Sequence, residues 1–307
     1  YVGAPDFQIL LFAYAFDDEG VRIVDLASNE ELPEPVAKAL RDPAIIKTAF
    51  NAAFERTCLA RHFSFSMPAE QWHCSQVHAL TLGLPSSLEK VAEALKMKQQ
   101  KDSAGKALIR YFSVPCRPTK ANGGRTRNLP HHDPESWEKF KAYCIQDVVV
   151  EREIRKQLEQ FPVTEAEQRL WRLDQKINDQ GIKLDKILVD HAITCDTQYR
   201  RRLEEEAIKL TGLKNPNSVA QLKRWVSEAL GKEIKSLTKE TVTQLIVETE
   251  CEAVIRVLKL RQKLAKTSVK KYMAMESAMC SDSRVKGLLQ FYGANRTGRW
   301  AGRIIQP

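Results

Sequence analysis

The sequence changes character at Phe161-Pro162, and this change limits the possible folds more than any other feature. Before it, short apolar and β-branched runs alternate with turn residues and short helical patterns, which is typical of an α/β domain. After it, long helical patterns dominate, with almost no strand signal. The chain has 307 residues, 43% of them hydrophobic, so it can bury a full core, and its length favours two domains. We therefore expect an α/β domain over 1–161 and a mainly helical region over 162–307.

Turn residues and caps place the individual elements. In the first half we expect a hairpin of strands at 8–14 and 21–25 and a short strand at 45–50, of the kind that is covered on both faces. Asn51 then caps a helix to about residue 61. Further helices are expected at about 75–83, 87–96, 102–112 and 134–158, with a loop at 115–130. In the second half, helices are expected at about 163–180, 187–211, 217–230, 238–248 and 251–279.

The excess positive charge of the chain lies in its second half. Residues 1–160 hold 21 Lys+Arg and 21 Asp+Glu, whereas residues 161–307 hold 27 and 18, which accounts for the whole net charge of +9. Such a concentration predicts a polyanionic partner for that half, because phosphate binding releases counterions. No apolar run is long enough to span a bilayer, so no membrane partner is expected.

Tyr143 and Asp147 are four residues apart in the helix predicted after Pro134, so their side chains share one face. Nucleases use carboxylates to bind Mg²⁺ and a further group to orient the attacking water. A second element, Asn51-Ala-Ala-Phe-Glu55, lies where a strand ends and a helix begins, a common place for ligand sites in α/β proteins. Taken separately, an ordinary helix face and an ordinary first-turn acid explain these elements at least as well.

Together, Asn-x-x-Phe-Glu and the later Tyr-x-x-x-Asp resemble the second and third exonuclease motifs of proofreading domains in family A DNA polymerases. The segments GKALIRYF at 105–112 and PTKANGGRTRNLP at 118–130 resemble the phage and prophage branch of that family. The resemblance covers essentially the whole chain. It implies a ribonuclease H-like 3′–5′ exonuclease domain with a mixed sheet over 1–161, and the polymerase thumb with the beginning of the palm over 162–307.

The same resemblance implies roles for the motif residues. Glu55 and Asp147 would bind Mg²⁺ in a two-metal site, Tyr143 would orient the nucleophilic water, and Asn51 would lie beside the DNA terminus. Glu55 stands where most relatives carry Asp, so its carboxylate reaches one methylene further. The family's first motif is an Asp-x-Glu pair on a strand upstream of the predicted hairpin, and this chain, whose two ends both look cut, begins after that point. The turn acids Asp17, Asp18 and Glu19 do not replace it.

The chain alone is therefore expected to have little or no exonuclease activity, because two metal-binding carboxylates are missing. Robust Mg²⁺-dependent degradation of single-stranded DNA by the 307-residue chain would contradict this expectation.

A basic stripe is predicted on the helical pattern at 251–279. Its members recur at spacings of three and four residues on what is expected to be one continuous helix: Arg256, Lys259, Lys263, Lys266 and Lys270. Between residues 256 and 303, twelve Lys or Arg accompany only two acids. We expect contact with DNA phosphates, and the resemblance identifies this region as the thumb. A solvated helix face is the alternative.

The segment YGANRTGRWAGR at 292–303 resembles the Thr-Gly-Arg segment that enters the palm. The resemblance places Arg299 at the primer terminus, where its fixed fork of donors suits hydrogen bonding, with Thr297 and Gly298 shaping the turn. A flexible basic segment is the alternative.

The resemblance implies that the full protein is a DNA-directed DNA polymerase, which is a nucleotidyltransferase, with proofreading activity. It would bind primer–template DNA, single-stranded 3′ ends and deoxynucleoside triphosphates, and act as a monomer in the cytoplasm of a bacterial or phage-infected cell. Its polymerase carboxylates are expected beyond residue 307. A stand-alone DEDD-type exonuclease, which would lack the Thr-Gly-Arg segment, and a non-catalytic DNA-binding relative remain alternatives.

Several other residues are expected to be structural. The seven cysteines include no Cys-x-x-Cys pair and indicate reduced thiols. His131 and His132 are not expected to form a transition-metal site without further ligands. Four tryptophans with apolar neighbours are expected in cores: Trp72, Trp137, Trp171 and Trp225.

Overall fold

The computed structural model describes residues 2–97, 105–294 and 296–305. The strands, in chain order, are β1 (Leu11–Tyr14), β2 (Arg22–Asp25), β3 (Lys47–Ala49), β4 (Trp72–Cys74), β5 (Ile182–Lys183), β6 (Arg284–Val285), β7 (Leu289–Ala294) and β8 (Arg299–Gly302). The α-helices are α1 (Glu34–Arg41), α2 (Ala52–Phe63), α3 (Ser75–Thr81), α4 (Leu88–Ala94), α5 (Gly105–Ser113), α6 (Pro134–Leu158), α7 (Glu165–Gln180), α8 (Lys186–Thr211), α9 (Val219–Leu230), α10 (Lys239–Glu248), α11 (Glu252–Leu264) and α12 (Lys270–Ala278).

The chain packs as two compact units. The first comprises Tyr1–Gln180 and Gly287–Arg303, and the second comprises Gly181–Lys286 and Ile304–Pro307. Helix α7 belongs to the first unit because Trp171 is buried in the same cluster as Trp72 and Phe291. The boundary expected between residues 161 and 162 is a proposed division by function, which differs from the division into packing units, and it stays a prediction.

The predicted hairpin of the first unit is confirmed, since β1 and β2 pair antiparallel with Leu11 opposite Asp25. Strand β3 is also present, and it pairs in parallel with β4, which the sequence did not predict. The expectation that the whole run at 45–50 is covered on both faces is wrong. Ile45 and Ile46 are 39% and 47% exposed, because they precede the strand in a turn.

The first unit combines strands and helices as expected. Within the described ranges, however, the pairs β1–β2 and β3–β4 are not hydrogen-bonded to each other. A single mixed sheet of the ribonuclease H type therefore stays a prediction.

The predicted helices of the first unit are present, and their caps explain where they begin. The Asp133 side chain accepts from the Ser136 amide at 3.1 Å, and Pro134 occupies the first helical position of α6. Ser87 caps α4 in the same way. The expected start of the third short helix, at 102–104, falls outside the described residues. Helix α1 was not predicted; its buried residues are Val36, Ala39 and Leu40.

Helix α6 is held at both ends by separate apolar clusters. Trp137, Phe140 and Tyr143 pack with Phe112 of α5 near its beginning. Val150, Ile154 and Leu158 pack with residues of α3 and α4 near its end. Because both ends of α6 are packed in apolar clusters, the helix cannot rotate about its axis. The side chains of its middle turns, residues 143–151, therefore have a fixed orientation.

The second unit is built on helices, as predicted. Helices α9, α10 and α11 share one core, and α8 packs on α11 through Leu203, Ala207, Leu260 and Leu264. The expectation of almost no strands after residue 162 is wrong. Strands β5 and β6 pair antiparallel within this unit, and β7 and β8 pair antiparallel within the first unit. Two of these strands are only two residues long, too short for a periodic signal.

Other expectations about single residues are confirmed. All seven cysteines are free thiols. Trp72, Trp137 and Trp171 are buried, and Trp225 is partly buried against the core of the second unit. In the ranges the structure describes, every helix is too short or too polar to traverse a bilayer.

Candidate functional site

Two parallel strands and one long helix bring the motif residues of the first unit together. Because β3 and β4 run parallel, their carboxyl ends lie at the same edge of the pair. Helix α2, with Glu55 in its first turn, follows β3, and α3 begins with Ser75 directly after β4. Helix α6 presents Tyr143 and Asp147 one turn apart. This edge is where α/β proteins place ligand sites.

Glu55 lies close enough to other carboxylates for their charges to affect its protonation. Burial first, and then the neighbouring carboxylates of Glu151 and Asp147, raise its pKa to about 8, against a backbone hydrogen bond that lowers it. Its Oε2 atom is buried and accepts no hydrogen bond from the residues that the structure describes. Glu55 and Asp147, which belong to two distant motifs, therefore lie near enough for their charges to interact.

Tyr143 lies beside Asp147 but is more enclosed than expected. Its ring is buried with Phe112, Trp137 and Phe140, so the alternative of an ordinary half-exposed helix face is wrong for this residue. Burial and then the Asp147 carboxylate, by its charge and its hydrogen bond, raise the pKa of the phenol. The hydroxyl group is therefore neutral and able to donate at physiological pH.

Glu151 is a third carboxylate that the sequence reasoning missed. It follows Asp147 by one helical turn, is 5% exposed, and accepts a hydrogen bond from the Ser75 hydroxyl. Burial raises its pKa, whereas the Ser75 hydrogen bond, Arg155 and Arg152 lower it. The Ser75 contact ties the middle of α6 to the end of β4. The sequence could have indicated Glu151, because Tyr143, Asp147 and Glu151 follow one another at intervals of four residues and so share one face of the helix.

Buried Arg56 fixes the helix that carries Glu55. Its guanidinium donates to the Met67 carbonyl at 3.0 Å, to Gln175 Oε1 at 3.3 Å and to Asp179 Oδ1 at 2.6 Å. These contacts join α2 to α7 within the first unit. The Glu55 carboxylate is thus carried by a helix that is anchored on its other side.

Gly105 allows Tyr143 to occupy its position. A Cβ atom added to this glycine would lie 1.9 Å from Cε2 and 2.2 Å from Cδ2 of the Tyr143 ring. No side chain larger than hydrogen fits without displacing the ring. The first residue of α5 is therefore part of the packing that positions the phenol.

The donor set of this site fits Mg²⁺ only in part. Carboxylate oxygens are suitable ligands, Mg²⁺ commonly binds through one or two carboxylates plus waters and substrate phosphates, and Glu55 Oε2 is buried without a partner among the described residues. No group of three or more His, Cys, Asp or Glu side chains in the described ranges is arranged to hold a metal ion. This finding includes His131 and His132.

The other residues predicted in the first unit occupy its surface. Asn51 is exposed at the start of α2 and makes no side-chain cap hydrogen bond. The turn acids lie at the tip of the β1–β2 hairpin as expected, where Asp18 pairs with Lys156 at 2.5 Å.

The expected continuous basic helix is wrong, because α11 ends at Leu264 and α12 begins at Lys270. Arg200 of α8 donates to the carbonyls of Leu264 and Lys266 at 2.7 and 2.6 Å, satisfying carbonyl groups that a longer helix would use. The other side of α11 is apolar and buried through Val254, Val257, Leu258, Leu260 and Leu264, whereas Ala265, just after the helix, is exposed.

The basic side chains themselves are all exposed: Arg256, Lys259, Lys263, Lys266 and Lys270. Arg256 pairs with Glu206 of α8, so acids do accompany the stripe, from a neighbouring helix. The side chains of the four lysines make no ion pair or hydrogen bond with any residue inside the described ranges. Four cations of the second unit are thus available to an anionic partner.

The Thr-Gly-Arg segment forms the turn and second strand of the β7–β8 hairpin. Thr297 and Gly298 donate through their backbone amides to the Ala294 carbonyl at 3.0 and 3.1 Å, and Gly298 has a φ of +66°, so both residues shape the turn. Arg299 is exposed at the beginning of β8, opposite Ala294. The alternative of a flexible basic segment does not describe this hairpin.

The hairpin is anchored to the first unit at its base. Phe291 is buried in the same cluster as Trp171, and Trp300 packs against that cluster. The Asn178 side chain of α7 accepts from the Leu289 amide at 2.8 Å and donates to the Leu289 carbonyl at 3.0 Å. The exposed Arg299 is therefore presented on a fixed support.

The pKa of Glu55 predicts a pH-dependent stability. Between its ordinary value of 4.5 and about 8, the folded protein keeps a proton on Glu55 that the unfolded chain has lost. The free energy of unfolding should therefore decrease as the pH rises through this window. Glu55→Gln cannot ionise and should make the decrease shallower, as measured by denaturant unfolding without divalent cations. Glu31→Gln, at an exposed position, is the control; equal pH dependence in both variants would contradict the prediction.

Comparison with known proteins adds independent information. No protein-family model matches the chain. The chain is 62% identical over 306 residues to the DNA polymerase of Bacillus phage SP02, a match that includes 100% of this chain and 47% of that protein. It thus spans about half the length of that relative.

A solved structure shows the same fold. The POL domain of Pol1 from M. smegmatis, in complex with DNA primer-template and dNTP, matches with a TM-score of 0.56 and 16% identity, over 96% of this chain and 48% of that chain. At this identity the likeness concerns the fold alone. The relationship to DNA polymerases that the motifs predict is confirmed by the sequence match. The chain is a homologue, along its entire length, of part of a phage DNA polymerase.

Proposed function

We propose that this chain is the proofreading and thumb part of a template-directed DNA polymerase of family A. The observation that carries the proposal is the 62% identity, over the whole chain, to a phage protein named as a DNA polymerase. The proposed partners are primer–template DNA, single-stranded 3′ ends and deoxynucleoside triphosphates. The proposed setting is the cytoplasm of a bacterial or phage-infected cell, with the polymerase acting as a monomer.

In the proposed division, residues 1–161 form the 3′–5′ exonuclease domain and residues 162–307 contribute the thumb and the beginning of the palm. The proximity of Glu55, Tyr143 and Asp147 supports an editing site. Glu55 and Asp147 would bind Mg²⁺, which, when bound, lowers the pKa of water and neutralises phosphate charge. The neutral Tyr143 hydroxyl would orient the attacking water, and exposed Asn51 would contact the terminal nucleotide.

Basic residues of the second unit are proposed to hold duplex DNA. Lys259, Lys263, Lys266 and Lys270 are exposed, and their side chains make no hydrogen bond or ion pair within the described ranges, which suits contact with phosphates. Arg256 would join them by exchanging its Glu206 partner for a phosphate. This electrostatic binding to the phosphates does not depend on base sequence.

The β7–β8 hairpin is proposed to meet the primer terminus through Arg299. A guanidinium can donate two hydrogen bonds in fixed geometry, and the anchored hairpin would present it without a large entropic cost. Thr297 and Gly298 would determine how closely the turn of the hairpin approaches the primer terminus.

Primer extension by the polymerase that contains this chain tests the proposal. The wild type should extend a primed template with deoxynucleoside triphosphates, and Arg299→Ala should lower kcat/KM for the first nucleotide by about tenfold to hundredfold, the effect of losing a charged hydrogen bond. Arg22→Ala, which removes an exposed arginine of the β1–β2 hairpin, is the matched control. No template-dependent extension by the wild type would overturn the proposal.

A further inference from the structure

The loop between α5 and α6 carries an unbalanced positive charge. We name residues 115–129 the basic loop, which contains Arg117, Lys120, Arg125 and Arg127 and no acidic residue. The loop lies in the half of the sequence whose positive and negative charges cancel. Its positive charge is therefore a property of this loop and not of the whole first half. The proposed roles of Glu55, Tyr143, Asp147 and the thumb leave this loop without a function.

A hydrogen-bond network fixes the tip of the basic loop. Asn122 Oδ1 accepts from the amides of Thr119 and Gly124 at 2.9 and 3.1 Å, and Asn122 Nδ2 donates to the carbonyls of Arg117 and Arg125 at 2.9 and 3.3 Å. One side chain thus uses both donors and both acceptor sites of its amide. A loop that only joined two helices would not need this internal order.

The basic residues divide into two that build the loop and two that do not. Arg125 Nε donates to the buried Asn128 at 2.9 Å, and Arg127 pairs with Asp6. Arg117 and Lys120 are exposed, and their side chains make no hydrogen bond or ion pair inside the ranges that the structure describes. Two cations are therefore held at the tip without neutralisation.

The basic loop is linked to the candidate editing site through α5. This helix begins at Gly105 against the Tyr143 ring, and its Phe112 belongs to the same buried cluster as Tyr143. Its nine residues span about 13 Å at 1.5 Å per residue. Asn128 of the loop donates to the Tyr111 carbonyl at 2.9 Å, which fixes the loop to the end of the same helix.

The exposed face of α5 continues the basic surface. Lys106 and Arg110 are one turn apart on it; among the residues that the structure describes, Lys106 pairs with Glu89 at 3.4 Å and Arg110 has no acidic partner. Ile109 and Val114 are also exposed, which gives apolar surface between the cations. Cations beside apolar surface suit a single strand, whose bases are free to make contacts that a duplex hides.

We propose that the basic loop binds the phosphates of single-stranded DNA whose 3′ end is at the editing site, with Arg117 and Lys120 as the contacting residues. The inference rests on the proposed exonuclease function. The loop would hold the strand a short distance upstream of the reacting nucleotide, and α5 would set that distance.

Salt-dependent binding of single-stranded oligothymidylate to the polymerase, without divalent cations, tests the proposal. The double variant R117A/K120A should bind more weakly, and the slope of log K against log salt should decrease in magnitude by about 1.4, because each single-strand phosphate contact contributes about 0.7. The control K38A/K139A removes the same charge from exposed positions of the first unit, each in a surface ion pair, and should leave the slope unchanged. The exchange R117K/K120R should restore the slope.

Asn122→Ala tests the role of the ordered loop tip separately from that of its charge. It removes the hydrogen bonds of the Asn122 side chain and leaves the charge of the loop unchanged. It should weaken single-strand binding while the far-ultraviolet circular dichroism stays as in the wild type. Binding by R117A/K120A equal to that of K38A/K139A would overturn the proposal, and so would an equal loss of affinity for blunt duplex DNA. A polymerase without exonuclease activity would refute the editing function, whereas the binding slopes would still report on the loop.

Discussion

Replacing Asp147 by alanine in the polymerase that contains this chain is expected to lower 3′–5′ exonuclease turnover by about 10²–10³-fold, the size of losing one electrostatic partner of the reacting group. The carboxylate lies beside Glu55 and Tyr143, so its removal takes away both a proposed metal ligand and the hydrogen-bond partner of the phenol. Primer extension should be unaffected, because Asp147 is not among the residues proposed to hold duplex DNA or the primer terminus. Hydrolysis of a labelled single strand and extension of a primed template measure the two activities.

The control for this variant is Glu159→Ala, which removes an exposed carboxylate directly after the end of the same helix. It should retain both activities. An Asp147→Ala enzyme that degrades single-stranded DNA like the wild type would exclude the proposed editing site. Loss of both activities together with a lower melting temperature would show that Asp147 serves folding instead.

Replacing Gly105 by alanine is expected to impair editing without changing any reacting group. The added methyl group would lie 1.9 Å from the Tyr143 ring, so the ring must move. A displacement of about 1 Å in a positioned catalytic group lowers turnover by about 10²-fold. Overpacking of this kind also destabilises a protein by about 1–3 kcal/mol. Exonuclease turnover and denaturant unfolding together measure both consequences.

Gly20→Ala is the matched control, because no atom lies within 4 Å of a Cβ added there. This variant should keep wild-type turnover. If Gly105→Ala also kept wild-type turnover, the exact position of Tyr143 would not matter for editing. Tyr143→Phe, which keeps the ring and removes the hydroxyl, should impair turnover without the loss of stability.

The helices of this protein were predictable because their signals are local. The Asp133 cap and Pro134 mark the start of α6, and the apolar spacing in α8 to α11 is regular. Strands β4, β5 and β6 have two or three residues each, and their pairing partners lie far away in the sequence. Nothing local marks such strands.

The break between α11 and α12 was also not predictable from local sequence. The sequence from Arg256 to Lys270 keeps a helical spacing, and no proline or glycine interrupts it. Arg200, more than sixty residues earlier, binds the carbonyl of Leu264 at the end of the helix and that of Lys266 just after it, which stabilises the break. The acid that pairs with Arg256 is also on α8, so a local count of acids missed it.

At the candidate site, the sequence pointed to the residues proposed to carry the chemistry but not to those that position them. The family resemblance of their motifs, rather than spacing alone, pointed to Glu55, Tyr143 and Asp147, and the structure brings them close together. Gly105 approaches Tyr143 across a large gap in sequence, which no periodicity reveals. Ser75 supports Glu151 in the same way.

The most direct measurement of the central claim is the anomalous scattering of Mn²⁺ soaked into crystals of the polymerase that contains this chain. Mn²⁺ prefers the same oxygen ligands as Mg²⁺ and can be located by its scattering. We predict a peak within coordination distance of carboxylate oxygens of both Glu55 and Asp147, lost in Asp147→Ala crystals. Crystals that show Mn²⁺ elsewhere in the enzyme and none between these two side chains would contradict the editing site.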